Sequence, residues 1–181
     1  EDGAERYFKE VIDEVRRCDP TRPVTMVEAG LAEDTRVSQY VDVVCVNQYI
    51  GWYELPGRLD VAGQLLETWL RKMHDLFDKP IIVTEFGTDT IAGLHAGPSA
   101  MFTEEFQIDF FRLYFEVYDR LDFVVGEQIW NFADFMTKQG TARIMGNKKG
   151  VFTRERHPKS CVPMLRDRWQ GIARKATPDG Q

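Results

Sequence analysis

A carboxylate closes the stretch Pro80-Ile81-Ile82-Val83-Thr84-Glu85-Phe86-Gly87. The apolar and β-branched residues ahead of Glu85 have the composition of a buried strand, which puts the acid at that strand's mouth. An ionised, rigidly held carboxylate can attack an anomeric carbon and form a glycosyl-enzyme, the first step of retaining glycoside hydrolysis. A strand-end acid can equally cap a loop or pair with a base. Position alone does not decide between the two.

Two neighbouring segments favour the chemical reading. Asn47-Gln48-Tyr49-Ile50-Gly51-Trp52-Tyr53 places an amide, two phenols and an indole just past another apolar run. Aromatic faces stack on the apolar faces of sugars, while amides and phenols bond sugar hydroxyls. Trp130, in Gly126-Glu127-Gln128-Ile129-Trp130-Asn131-Phe132, ends a further strand and can form a second wall or pack in the core. The third feature is charge. Between Lys138 and Lys159 stand seven basic residues (Lys138, Arg143, Lys148, Lys149, Arg154, Arg156, Lys159) against one acid, Glu155. A basic loop in a chain of formal charge −6 suits an anionic substrate, or else is a solvated face or subunit contact. Within it, the glycine-bounded Gly146-Asn147-Lys148-Lys149-Gly150 can aim one amide and one ammonium at a single carboxylate.

Other chemistries find little support. His74, His95 and His157 are scattered without ligand spacing, and Cys18, Cys45 and Cys161 are odd in number and far apart. No metal, cofactor or disulfide framework is expected, and the cysteines read as small buried hydrophobes. The negative charge argues against nucleic acid. No apolar stretch reaches the length of a membrane span, so no membrane partner is expected. The compartment is left open; a soluble cytoplasmic setting is favoured if the source is bacterial.

The elements that must position these residues alternate. Helical periodicity marks 4–18, with Phe8, Val11, Ile12, Val15 and Cys18 on one face and Asp19-Pro20 as its stop. It marks 61–77, with Leu65, Leu66, Trp69, Met73, Leu76 and Phe77 together and Asp60 as cap. It marks 103–121, with Phe106, Phe110, Leu113, Val117 and Leu121, and 160–175, with Val162, Leu165, Trp169 and Ile172. Short apolar runs at 24–29, 41–49, 81–85 and 123–130 read as strands, and 177–181 as a frayed tail. Near-continuous apolar strands separated by helices imply a parallel sheet. Each turns polar at its C-terminal end, at Glu28, Asn47 and Tyr49, Glu85, and Glu127 and Trp130, as barrel strands do around one active site. The glycine-rich turn of a dinucleotide-binding open sheet is missing. The fold expected is α/β, with about four strand–helix units over 1–176 forming the C-terminal half of a (β/α)8 TIM barrel. A whole barrel takes about 250 residues, so the 181 residues read as a fragment.

These segments closely resemble the C-terminal part of the β-glucuronidases of glycoside hydrolase family 2. The resemblance rests on NQYIGWY at 47–53, TEFGTDTIAGLH at 84–95, GEQIWNFADF at 126–135 and GNKKGVFTR at 146–154, and extends to DPTRP at 19–23. It implies that Glu85 is the nucleophile of a retaining mechanism on terminal β-D-glucuronosides. Asn47, Tyr49 and Tyr53 then contact the sugar, Trp130 walls its pocket, and Arg143, Asn147 and Lys149 contact its carboxylate. The asparagine–x–lysine element is what separates such enzymes from galactosidase relatives. Gln48, Ile50 and Phe86 stand where relatives commonly carry Arg, an aromatic and Tyr.

The resemblance also places the acid/base glutamate in an Asn-Glu-Pro element ahead of the segment similar to 1–8, and the chain contains none. A retaining mechanism needs a second carboxyl about 5–5.5 Å from the first. The 181 residues alone are therefore expected not to turn over glucuronides, and the full-length protein is expected to be a homo-oligomer. Two alternatives stay open: another β-glycosidase or galacturonidase on the same barrel, or a non-catalytic sugar-binding half-barrel.

Overall fold

The computed structural model describes residues 2–28, 35–141 and 143–176. The chain divides into two units, one of residues 1–86 and 113–129, the other of residues 87–112 and 130–181.

The first unit holds a four-stranded parallel sheet in chain order: β1 (Val27–Glu28), β2 (Val44–Asn47), β3 (Ile81–Phe86) and β4 (Val124–Ile129). Every neighbouring pair is parallel, as the apolar runs implied. β1 is shorter than the run at 24–29. The Val24 amide is taken by the Asp42 carboxylate at 2.7 Å, and the Thr25 hydroxyl by the Val43 carbonyl at 2.6 Å. Side-chain bonds thus replace the first rungs of the ladder. Ala29 lies outside the described residues. β2 is likewise shorter than the run at 41–49; ahead of it the Asp42 amide bonds the Val24 carbonyl at 2.8 Å, and the Asp42 carboxylate also pairs with Arg16 at 2.7 Å.

Helix α1 (Asp2–Cys18) buries Ile12 against Val24, Val37 and Val41, with Phe8, Met26 and Tyr40 packed around them. Val11 and Val15 of the expected face are exposed, and so is Cys18, whose thiol lies 3.7 Å from Glu14. Cys45 and Cys161 are buried as expected.

Helix α2 (Leu59–Phe77) corrects two expectations. Asp60 is not its cap; it lies in the first turn and chelates the Arg58 guanidinium at 2.7 and 2.6 Å. The buried stripe is Ala62, Gly63, Leu66, Leu70 and Met73, with Leu65 and Leu76 outside it. Small residues face inward there because the neighbour comes close. A Cβ on Gly63 would stand 2.7 Å from Leu113.

Helix α3 (Glu104–Tyr118) has its first residues in the second unit and, from Leu113, its last in the first. Thr103 caps it, its hydroxyl accepting the Phe106 amide at 3.2 Å. In the second unit α4 (Val162–Ala176) follows, with Leu165 buried but Trp169 and Ile172 exposed. The expected tail at 177–181 lies outside the described residues.

Candidate active site

In the first unit, Glu85 is the penultimate residue of β3, paired in register with Asn47 across a bulge at Val46/Asn47. Its carboxylate accepts the Tyr49 hydroxyl at 2.8 Å, and its backbone carbonyl accepts the Gln48 amide at 2.8 Å. A hydrogen bond from a phenol to an ionised carboxylate is of the stronger, charge-assisted kind and fixes the acid's orientation. Thr84 donates to the Asn47 side-chain oxygen at 2.9 Å, which sets the direction of that amide. A tight turn carries the Trp52 and Tyr53 amides back to the Tyr49 carbonyl at 2.9 and 3.0 Å. The Tyr53 ring then lies 5.1 Å from that of Tyr49, and 41% of Tyr53 is exposed. Asn47, Tyr49, Tyr53 and Glu85 are thus brought together as one group.

What holds this group is aromatic. Phe86, next to Glu85, is fully buried and stacks on Tyr114 at 5.4 Å, with Tyr118 and Phe115 edge-on at 5.4 and 6.0 Å. The Tyr114 hydroxyl donates to the Ile50 carbonyl at 2.8 Å and anchors the loop that carries Tyr49 and Tyr53. Burial pushes this phenol well above its ordinary value of 10, so it remains a donor at every working pH.

In the second unit, Arg143, Asn147 and Lys149 form another group around a residue that the motif reading passed over, Asp89. The Lys149 ammonium is fully buried and pairs with Asp89 Oδ2, and the Arg143 guanidinium lies 3.7 Å from the same oxygen. Asp89 Oδ1 accepts the Lys148 amide at 2.7 Å. Asn147 is buried, and its side-chain oxygen accepts the Lys149 amide at 3.0 Å. Arg143 keeps 30% of its side chain exposed.

The backbone around this group is tightly paired. Asn147 and Phe135 exchange amide–carbonyl bonds at 2.8 and 3.1 Å, and Asn131 donates to the Lys149 carbonyl at 3.2 Å. Gly146 has φ of +92°, and a Cβ there would stand 2.7 Å from the Phe135 carbonyl oxygen. At Gly150 a Cβ would meet the Asp134 nitrogen at 2.2 Å and the Phe152 oxygen at 2.4 Å, so the chain packs there as only glycine can. Trp130 belongs to this unit, half-buried, with its ring edge-on to Phe135 at 6.1 Å.

The basic loop is less solvated than its composition suggested. Lys159 is buried and donates to the Thr90 carbonyl at 2.8 Å, Asp134 at 2.9 Å and the Lys148 carbonyl at 2.9 Å. Burial lowers its pKa from 10.5, and Asp134 offsets part of that. Among the described residues, no group of three or more His, Cys, Asp or Glu could hold a metal, and no helix is long and apolar enough to cross a membrane.

The model for the TIM barrel domain of glycosyl hydrolases family 2 matches residues 1–174. The chain is 51% identical over 169 residues to a β-glucuronidase of Paenibacillus borealis, covering 93% of this chain and 28% of that one. It is 45% identical over 174 residues to the human β-glucuronidase, covering 95% and 27%. Among solved structures, the β-D-glucuronidase of Dictyoglomus thermophilum superposes with a TM-score of 0.91 at 55% identity, over 100% of this chain and 30% of that one. The Ruminococcus gnavus β-glucuronidase in complex with uronic isofagomine gives 0.88 at 40% identity, over 93% and 30%. The chain thus spans under a third of the length of these relatives. It belongs to the TIM barrel domain family of glycosyl hydrolases family 2.

Proposed function

We propose that these 181 residues supply the nucleophile and the uronate-recognising residues of an enzyme that hydrolyses terminal β-D-glucuronosides with retention. The observation that carries this reading is Glu85 at the C-terminal end of β3, oriented by the Tyr49 hydroxyl at 2.8 Å, in a family whose fold gathers catalytic groups at strand C-termini. Glu85 attacks the anomeric carbon. An acid/base carboxyl from outside the 181 residues protonates the leaving group and then activates water. Asn47, Tyr49 and Tyr53 bond or stack on the sugar, with Trp130 as a wall. Arg143, Asn147 and Lys149 select the carboxylate.

Support for the uronate comes from two directions. Two cations, one of them part-exposed, share one buried acid in the second unit. The relatives are β-glucuronidases, and the R. gnavus enzyme is seen with uronic isofagomine and with D-glucaro 1,5-lactone. The complete enzyme is further proposed to be a homo-oligomer that takes small glucuronides or oligosaccharides.

Lys149→Ala in the complete enzyme tests the substrate class against a galactosidase alternative. The kcat/KM for an aryl glucuronide should fall steeply while that for the matched galactoside stays at its wild-type level. An equal fall for both would sink the assignment of Lys149 to the uronate.

A further inference from the structure

We propose that Asp89 is a positioning residue for uronate recognition: it holds Lys149 and Arg143 as a preformed cationic pair. This rests on the reading of those two residues given above. Asp89 itself would not touch the sugar.

The Lys149 side chain is 0% exposed and that of Asp89 only 3%. An ammonium taken out of water needs an opposite charge, or it must leave or give up its proton. Asp89 provides that charge through Oδ2, and the Arg143 guanidinium reaches the same oxygen at 3.7 Å. Without the carboxylate, two like charges would face each other across its vacated position.

The carboxylate is itself fixed. Its Oδ1 accepts the Lys148 amide at 2.7 Å, and the Thr90 amide next along the chain bonds the Lys148 carbonyl at 2.9 Å. Thr88 and Thr90, on either side, are fully buried. The segment 88–90 is therefore clipped to Lys148 and cannot slide relative to Lys149. Asn147 completes the arrangement by accepting the Lys149 amide.

Charge decides what such a cluster can recognise. Two cations gathered on one carboxylate offer a positively charged surface that suits a sugar carboxylate. A neutral sugar gains nothing from it. Arg143, with 30% of its side chain exposed, is the accessible member, and Lys149 is the fully buried member that Asp89 holds.

The test uses the complete enzyme and two inhibitors, uronic isofagomine and isofagomine, which differ by the carboxylate. In Asp89→Asn the inhibition constant for uronic isofagomine should rise about tenfold or more, the scale of losing a partner from a buried ion pair, while that for isofagomine stays within about twofold. Asp89→Glu should recover part of the loss. On a Lys149→Met background the effect of Asp89→Asn should shrink to the smaller part that runs through the part-exposed Arg143. Equal weakening of both inhibitors, or unchanged affinity for the uronic one, overturns the proposal. Should Asp89→Asn fail to fold, the double variant with Lys149→Met removes both charges together. Its affinity for uronic isofagomine should lie within about threefold of that of Lys149→Met alone, the remainder running through Arg143, and a further loss of about tenfold overturns the proposal. If the wild type itself shows no preference for the uronic inhibitor, the uronate reading fails first and takes the role of Asp89 with it.

Discussion

Lys159→Met is the most demanding structural test, because it removes one buried charge from a network whose other members are known. The ammonium donates to Asp134 at 2.9 Å and to the Thr90 and Lys148 carbonyls at 2.8 and 2.9 Å. The side chains of Lys159 and Asp134 are 0% and 4% exposed. Methionine keeps the volume and loses the charge. Asp134 would retain the Gly150 amide at 3.0 Å and the Lys148 ammonium at 3.6 Å, so its carboxylate is not wholly abandoned. Breaking a buried pair costs about 3–5 kcal/mol, and two carbonyls also lose a donor, so about 4 kcal/mol is expected. That is a large share of the roughly 5–15 kcal/mol that holds a domain together. Urea denaturation followed by fluorescence and by hydrogen exchange at 147–151 measures it. The double variant Lys159→Met/Asp134→Asn should regain at least about 2 kcal/mol, since no charge is then left buried without its partner. A single-variant loss below about 1 kcal/mol, or no recovery in the double variant, would refute this reasoning.

Two further outcomes are expected. Tyr49→Phe removes the 2.8 Å bond to Glu85 and should lower kcat of the complete enzyme by at least about tenfold, with folding intact; hydrogen bonds to charged groups are worth about 1.5–3 kcal/mol. Glu104 gives a pH test. Burial pushes its carboxyl up, but the Gly93 and Ser160 amides, each at 2.6 Å, outweigh this and hold it below 4.5. A carboxylate with a depressed folded pKa stabilises above its unfolded value and loses that contribution as pH falls through the folded one. Glu104→Gln should therefore be less stable than wild type at pH 7 by about 2 kcal/mol, with the gap closing as pH drops below 4.5. A gap that stays constant with pH would contradict the assignment.

Local patterning was enough to find the parallel sheet and the four helices, because apolar runs and helical periodicity are properties of neighbouring residues. It failed where packing is decided by distant ones. The buried stripe of α2 runs through Ala62 and Gly63, which carry little hydrophobic signal, and Leu113 presses against Gly63 from another element. The start of β1 was misplaced because Asp42, an acid eighteen residues on, satisfies the Val24 amide. At the site, Glu85 and its aromatic neighbours were legible from their places past apolar runs. Asp89 and Asp134 were not. Their partners Lys149 and Lys159 lie 60 and 25 residues away, and a buried acid carries no local mark of its counter-charge. The only trace is that Asp89 sits between two threonines in a fully buried stretch. The composition of the basic loop suited an anionic substrate and left a solvated face open as the alternative; Lys149 and Lys159 are in fact internal and paired.

The central claim is that Glu85 is the nucleophile. The direct measurement is trapping of the complete enzyme with a 2-fluoro glucuronosyl fluoride, whose slow turnover lets a glycosyl-enzyme accumulate, followed by peptide mass spectrometry. One sugar per active site is expected, attached within Ile81–Phe86 at Glu85, released on hydrolysis and not trapped in Glu85→Gln. A label on any other carboxylate, or stoichiometric trapping that survives Glu85→Gln, would contradict it.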